Sequence, residues 1–184
     1  NGSPYAVRKQ GAGLANLTNS IKTKAYITTY DLDGKEMDKT KLELGDDPDK
    51  KGEYTLSFSI MNFGDKPLNY NFGYYVMTEG VSDTKTSHGE TTVTEEAYIL
   101  EGAKAVISSI TNGSADGKKV TVNPGKSDIV VTITLSEKDK KYLNDSFENG
   151  MYVEGFVTFD ASSEDNVSLS VPYLAFYGDW SVAP

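Results

Sequence analysis

From Thr23 onward, apolar and polar residues alternate with a period of two. Tyr54, Leu56, Phe58 and Ile60 alternate with Thr55, Ser57 and Ser59, the pattern of a strand with one face in a core. Ile129, Val131, Ile133 and Leu135 share a face opposite Thr132 and Thr134, and Val120 and Val122 alternate in the same way. Met151, Val153, Val157 and Phe159 form a further face with Gly155 at its middle position, which puts Glu154 on the outward side of that strand. Val167, Leu169, Val171 and Tyr173 make the last alternating run. Turn signals separate these runs: Asp33-Gly34, Asp46-Asp47-Pro48, Gly64-Asp65-Lys66-Pro67, Asn112-Gly113, Asn123-Pro124-Gly125 and Asn149-Gly150. Asp33-Gly34, between Tyr30 and Leu42, predicts a hairpin turn.

One segment departs from the period of two. Ser136 is a good N-cap, Asp139 stands at the capping-box position, and Leu143 and Phe147 are four apart. This predicts a short helix over 136–147, stopped by Asn149-Gly150. Leu14–Leu17 has room for a single helical turn, and the stretch Glu79–Lys118 predicts two strands and a long loop. Tyr173, Phe176 and Trp180 are expected to close one end of the core, with Trp180 largely buried, and Pro172 suits an edge or a bulge because it cannot donate to a ladder. Many short strands, frequent turns and one helical connection predict an all-β, antiparallel β-sandwich of immunoglobulin-like type with one short connecting helix. Two parts are expected: a leading tail over 1–20 and the sandwich over 21–184.

Composition narrows the partners more than the fold. The 184 residues carry a net charge of −9 and no cysteine. A chain this acidic repels phosphate backbones and anionic membrane surfaces, so neither nucleic acid nor membrane insertion is expected. The missing cysteines exclude a disulfide framework and thiolate metal sites. No apolar run approaches the roughly 20 residues needed to cross a bilayer.

Candidate chemistry is sparse. The single histidine, His88, lies in the polar stretch Thr86-Ser87-His88-Gly89 and has no nucleophile elbow to serve, so it reads as a loop residue. Glu154 is the most distinctive of the acidic residues because it sits inside an apolar strand, yet accidental carboxylate pairs are guaranteed among 27 acids. Calcium is the best metal candidate, at Asp31-x-Asp33-Gly34 or Asp46-Asp47-x-Asp49, although neither completes an EF-hand loop and both are ordinary turn compositions. Tyr70, Phe72, Tyr74 and Tyr75 form an aromatic run suited either to a core or to sugar and peptide binding. Asn16, Asn112, Asn144 and Asn166 open N-x-S/T sequons. No catalytic, cofactor-binding or metal-ligating residue is assigned, and no cofactor beyond the calcium candidates.

Several long motifs resemble a known family. They are Ser136-Glu137-Lys138-Asp139, then Asn149-Gly150-Met151-Tyr152-Val153-Glu154-Gly155-Phe156-Val157, then Val171-Pro172-Tyr173-Leu174-Ala175-Phe176-Tyr177-Gly178-Asp179-Trp180. The run resembles the fibronectin-type-III-like domain of bacterial cell-envelope subtilases, the group of the lactocepin-type proteinases and the complement-cleaving streptococcal surface peptidases. Tyr54–Met61 followed by Asn62-Phe63-Gly64-Asp65-Lys66-Pro67 resembles a strand and turn of the same domain. Arg8-Lys9-Gln10-Gly11-Ala12-Gly13 resembles the segment that closes a subtilase catalytic domain. The resemblance implies an extracellular, cell-wall-associated module of a Gram-positive surface protease. Its implied partner is the catalytic domain of the same polypeptide, with neighbouring accessory domains, and the triad would lie upstream of Asn1. The alternative is an autonomous extracellular module binding cell-wall carbohydrate or a host protein.

Overall fold

The structure is a computed structural model that describes residues 5–10, 16–31, 33–164 and 166–182, with backbone alone at residues 83, 91 and 95. Two sheets face each other. The first has the order β2 (Glu36–Met37), β1 (Ala25–Tyr30), β4 (Glu53–Asn62), β10 (Gly125–Thr134), β7 (Lys104–Ile110). The second runs β3 (Leu42–Asp46), β12 (Leu169–Tyr177), β11 (Met151–Ala161), β5 (Leu68–Lys85), β9 (Lys119–Val122), β8 (Gly113–Asp116), and β6 (Thr91–Ile99) also pairs with β5. All pairs are antiparallel except β3 with β12. The expected sandwich is therefore present, with one parallel pair at an edge.

The alternating runs form the inner faces. Leu56, Phe58 and Ile60 from β4 and Ile129, Val131 and Ile133 from β10 meet Val153, Val157 and Phe159 from β11 and Val171 and Tyr173 from β12 in one contiguous core. Phe159 is its hub, with ring centroids 5.8 Å from Phe58, 5.8 Å from Phe72 and 6.1 Å from Tyr70. Burying each such side chain contributes about 1.5–3 kcal/mol, so these inner faces dominate stability. Gly155 continues the same face, and a Cβ there would overlap the Tyr75 carbonyl oxygen on β5. That close approach explains why the middle position of the face carries no side chain.

The helical connection forms as α2 (Glu137–Ser146) and carries the chain from β10 in one sheet to β11 in the other. The Ser136 side chain accepts from the Asp139 N–H, and the Asp139 carboxylate accepts from the Ser136 N–H, a complete capping box. Asp139 also accepts from Gly102 N–H at 3.2 Å, which ties the helix start to the β6–β7 turn. Leu143 and Phe147 are buried against the core, as their spacing predicts. Pro172 lies one residue before β3 begins to pair with β12 at Tyr173, so no ladder bond is lost on that side.

Two expectations need correction. The stretch 79–118 is mostly strand, comprising the last part of β5, then β6, β7 and β8, and only short turns join them. Its Thr- and Gly-rich sequence hides the alternation because these strands sit at edges with one or both faces in water. The hairpin turn expected at Asp33-Gly34 forms and joins β1 to the two-residue β2, while Leu42 opens β3 in the opposite sheet. Of the three aromatics expected to close one end of the core, only Tyr173 joins it: Phe176 is buried outside the contiguous core and Trp180 is 65% exposed. Gly178, at φ +140, turns the chain outward after β12, and Asp46 then accepts the Trp180 N–H at 3.0 Å. The loss of about 3–5 kcal/mol that applies to truncating a buried aromatic does not apply to this ring. Near the N-terminus, the helical turn is α1 (Leu17–Lys22), with Asn16 as its N-cap, and residues 14–15 lie outside the described residues.

Candidate functional site

The distinctive chemistry lies on the outer face of the second sheet. Side chains alternate along β11, so Tyr152 and Glu154 point away from the inter-sheet core while Val153 and Gly155 face it. The register pairs Glu154 with Met77 on β5 and with Leu174 on β12. An outward carboxylate would ordinarily be solvated, yet Glu154 is 0% exposed. Its position on the outward side is as expected, and its burial is not. The cover is the segment Tyr5–Gln10, whose 3₁₀ turn Val7–Lys9 packs on β11 and β12. Ala6, Met77 and Phe176 are buried too, but outside the contiguous core.

Arg8 makes the covered carboxylate tolerable. Its backbone N–H donates to Glu154 Oε2 and its Nε to Oε1, both at 2.9 Å. The guanidinium reaches a second acid as well, with Nη2 donating to Glu79 Oε1 at 2.7 Å. Lys9 Nζ donates to Glu79 Oε2 at 2.9 Å and to the Thr94 carbonyl of β6 at 3.2 Å. The Arg8 guanidinium carbon also stands 4.2 Å from the Tyr152 ring centroid. A planar, multi-donor cation suits this arrangement, because lysine could not bridge two carboxylates and stack on an aromatic face together.

Local folding sets each carboxylate. The pairing of β5 with β6 shifts register between Glu79 and Val81, an irregularity at Gly80. A side chain at Gly80 would strike Thr94, so glycine allows the two strands to close here. The Glu79 carbonyl accepts from the Tyr142 hydroxyl of α2 at 3.1 Å, and Tyr142 stacks on Tyr98 of β6 with centroids 3.8 Å apart. Thr78, fully buried, donates to the Tyr152 carbonyl at 2.7 Å and fixes β5 against β11. Burial pushes the Glu79 carboxyl upward, but the hydrogen bonds and charges of Lys9 and Arg8 outweigh it and hold the group below its usual value.

The other sequence candidates lie elsewhere and are not brought together. His88 is exposed in the turn between β5 and β6, where its N–H donates to Thr86 Oγ1. Asp31 accepts from the Asp33 and Lys35 N–H groups, while Asp47 accepts from those of Lys51 and Gly52, so both calcium candidates act as turn-closing acids. Tyr70 and Phe72 belong to the core. Tyr74 and Tyr75 stand at 36% and 41% exposure along an open groove of about 890 Å³ that also touches Val106 and Ile107 of β7. Asn112 is engaged by the Pro124 and Lys126 carbonyls.

The sequence reading passed over Glu79 and the pairing role of Arg8. Two signals were available. Arg8 is the only arginine among 18 basic residues, and Glu79-Gly80 and Glu154-Gly155 both place an acid before glycine within an apolar strand. Glu101-Gly102 has the same spelling in an exposed turn, so the dipeptide points to the site only in its strand context.

Known proteins match this chain along nearly its whole length. A C5a peptidase of Streptococcus pyogenes serotype M18 is 23% identical over 177 residues, which is 96% of this chain and 13% of that protein. A PI-type proteinase of Lactococcus lactis subsp. cremoris is 29% identical over 177 residues, which is 95% of this chain and 8% of that protein. The chain thus spans about an eighth or less of the curated relatives it matches. Among solved structures, a PapD-like domain of human CEP192 aligns with a TM-score of 0.46 at 8% identity, covering 95% of this chain and 96% of that one. Residues 42–174 match the family model for the Fn3-like domain, and the chain belongs to that family.

Proposed function

We propose that this chain is a non-catalytic accessory module of a secreted, cell-wall-associated subtilase of a Gram-positive bacterium, and that it braces the catalytic domain preceding it. The observation that carries the reading is the clamp on Arg8. The segment Arg8–Gly13 resembles the exit of a subtilase catalytic domain, and the sole arginine of the chain opens it. Its guanidinium is held by Glu154 and Glu79 of the sandwich at 2.9 Å and 2.7 Å. A hinge between domains would leave such a residue in water. Here the connecting segment is part of the sandwich surface, so the orientation of whatever precedes it is limited. The match to two proteins named as a peptidase and a proteinase supports the same assignment. With its edge so fixed, the module would also bound one side of the substrate's approach.

Calorimetry of the full-length protein tests the reading. With the clamp intact, the protease domain and this module unfold in one coupled transition. Arg8→Ala should split that transition or lower the first component, with the isolated protease fold unaltered. Identical thermograms for the two proteins would overturn the bracing role. The groove beside Tyr74 and Tyr75 favours a second reading, an autonomous binding module for cell-wall carbohydrate or a host protein. Binding of the module alone to whole cells or a glycan array, abolished by Tyr74→Ala with Tyr75→Ala, would support that reading.

A further inference from the structure

β5 has one continuous neighbour and one broken one. On one side β11 pairs with it from Tyr70 to Met77. On the other side β9 pairs with Leu68–Asn71 and β6 with Met77 and beyond, so the ladder is interrupted between them. Single bonds close the two ends of the gap. The Phe72 N–H donates to the Lys118 carbonyl at 2.6 Å, and the Val76 carbonyl accepts from the Leu100 N–H at 2.9 Å. Backbone direction alternates along a strand, so the N–H and C=O of Tyr74, midway between these two residues, point into the same gap. Among the described residues neither group has a hydrogen-bond partner. The gap opens onto the groove beside Tyr74 and Tyr75, whose other wall is Ala105–Ile107 of β7. β7 pairs with β10 alone, so that wall is a sheet edge as well. On the outer face, Gly73 leaves the surface bare next to β11: a Cβ there would stand 2.6 Å from Thr158 Oγ1 and 3.8 Å from Asp160 Oδ2. Asp160 is exposed and makes no ion pair among the described residues.

We infer that this groove binds an extended peptide segment of another protein by strand addition at Tyr74, with an apolar residue opposite Tyr74 and a basic residue directly after it. The inference rests on the second reading of that groove, which it narrows to a peptide, and does not depend on the bracing role. The N–H and C=O of one strand residue are matched by the C=O and N–H of one extended guest residue. β6 and β9 both run antiparallel to β5, so a guest lying in line with them takes the same direction. From Phe72 to Val76 the gap spans about 13 Å, so about three guest residues fill it and their flanks lift out of the sheet at Lys118 and Leu100. The guest residue opposite Tyr74 shares its face of the sheet and points between the sheets, toward Ala105 and Ile107, which suits an apolar side chain. In an antiparallel register the next guest residue stands opposite Gly73, on the outer face, within reach of the Asp160 carboxylate. The net charge of −9 adds to the preference for a basic residue there.

Hydrogen exchange and peptide capture together test the inference. In the 184-residue chain, whose inter-sheet core is contiguous within itself, the Tyr74 amide should exchange about tenfold or more faster than that of Tyr75, which faces β11. The full-length protein should show the same fast exchange. A Tyr74 amide already protected there would mean that its own polypeptide fills the gap, and would overturn the inference. The chain is then offered pools of acetylated hexapeptides in which a central Val-Lys, Val-Glu or Lys-Val pair is fixed and the other positions are randomised. The Val-Lys pool should be retained about threefold more than the other two, and Asp160→Asn should erase its advantage over Val-Glu. A retained peptide, resynthesised singly, should slow Tyr74 exchange. N-methylation of its Val amide should abolish binding, while N-methylation of its Lys amide, which faces away from β5, should leave it intact. No retention from any pool, a bound peptide that leaves Tyr74 exchange unchanged, or equal effects of the two N-methyl groups would each overturn strand addition. Equal retention of Val-Lys and Val-Glu would overturn the role given to Asp160. Binding of a cell-wall glycan that Tyr74→Ala with Tyr75→Ala abolishes, with no pool retained, would keep the groove as a binding site and remove the peptide from it.

Discussion

The two faces of the second sheet are built on opposite principles. On the inner face, Val153, Val157 and Phe159 meet apolar partners from the first sheet, and many equivalent contacts share the load. On the outer face, Glu154 and Glu79 are held by Arg8 of a single short covering segment and depend on a few directed bonds. Removing one apolar group leaves a gap that neighbours partly fill. Removing one charge leaves the other uncompensated in a covered place. The inner face therefore specifies that the sandwich forms, and the outer face specifies where the chain before it lies.

The largest expected effect breaks the inner face. Phe159→Ala should destabilise the module by about 4 kcal/mol, because it empties the centre of the aromatic cluster. Urea unfolding should show a lower midpoint with an unchanged slope. A smaller effect sharpens the outer face. Arg8→Ala should cost about 2–3 kcal/mol, less than a fully enclosed ion pair, because the Arg8 side chain is 26% exposed and the freed carboxylates can rehydrate. Arg8→Lys should recover only part of the loss, since it cannot make the fork that joins Glu154 and Glu79.

The legibility of the two faces differs for the same reason. The inner face is written as alternation, and β4, β10, β11 and β12 all fall where the period of two places them. α2 is equally plain because Ser136 and Asp139 cap it through residues three apart. The outer face has no such period. Glu154 reads as an ordinary outward residue because its burial is decided by Arg8, 146 residues earlier in the chain. Trp180 misleads in the opposite direction: its residue type argues for a core, while Gly178 two positions earlier turns the backbone away from it. Neither Gly80 nor the Tyr142 contact that sets Glu79 leaves a local pattern, because both depend on how β5, β6 and α2 meet.

The smallest expected effect is the pH dependence of the clamp. Glu79 in the folded protein titrates below its usual value of 4.5. Such a group contributes stability that is fully present above the unfolded value and is lost as pH falls through the lower folded one. The stability difference between wild type and Glu79→Gln should be constant above about pH 5 and should shrink as the solution is acidified further. A difference that grows on acidification would reverse the sign of the account.

The central claim is that Arg8 and Glu154 act as one unit joining the leading segment to the sandwich. A double-mutant cycle on Arg8→Ala and Glu154→Gln, read by chemical denaturation, tests it most directly. The account predicts a coupling energy above about 1.5 kcal/mol, with the double variant more stable than the sum of single losses implies. Additive losses, with coupling below about 0.5 kcal/mol, would mean that the two residues are neighbours without being partners, and would contradict it.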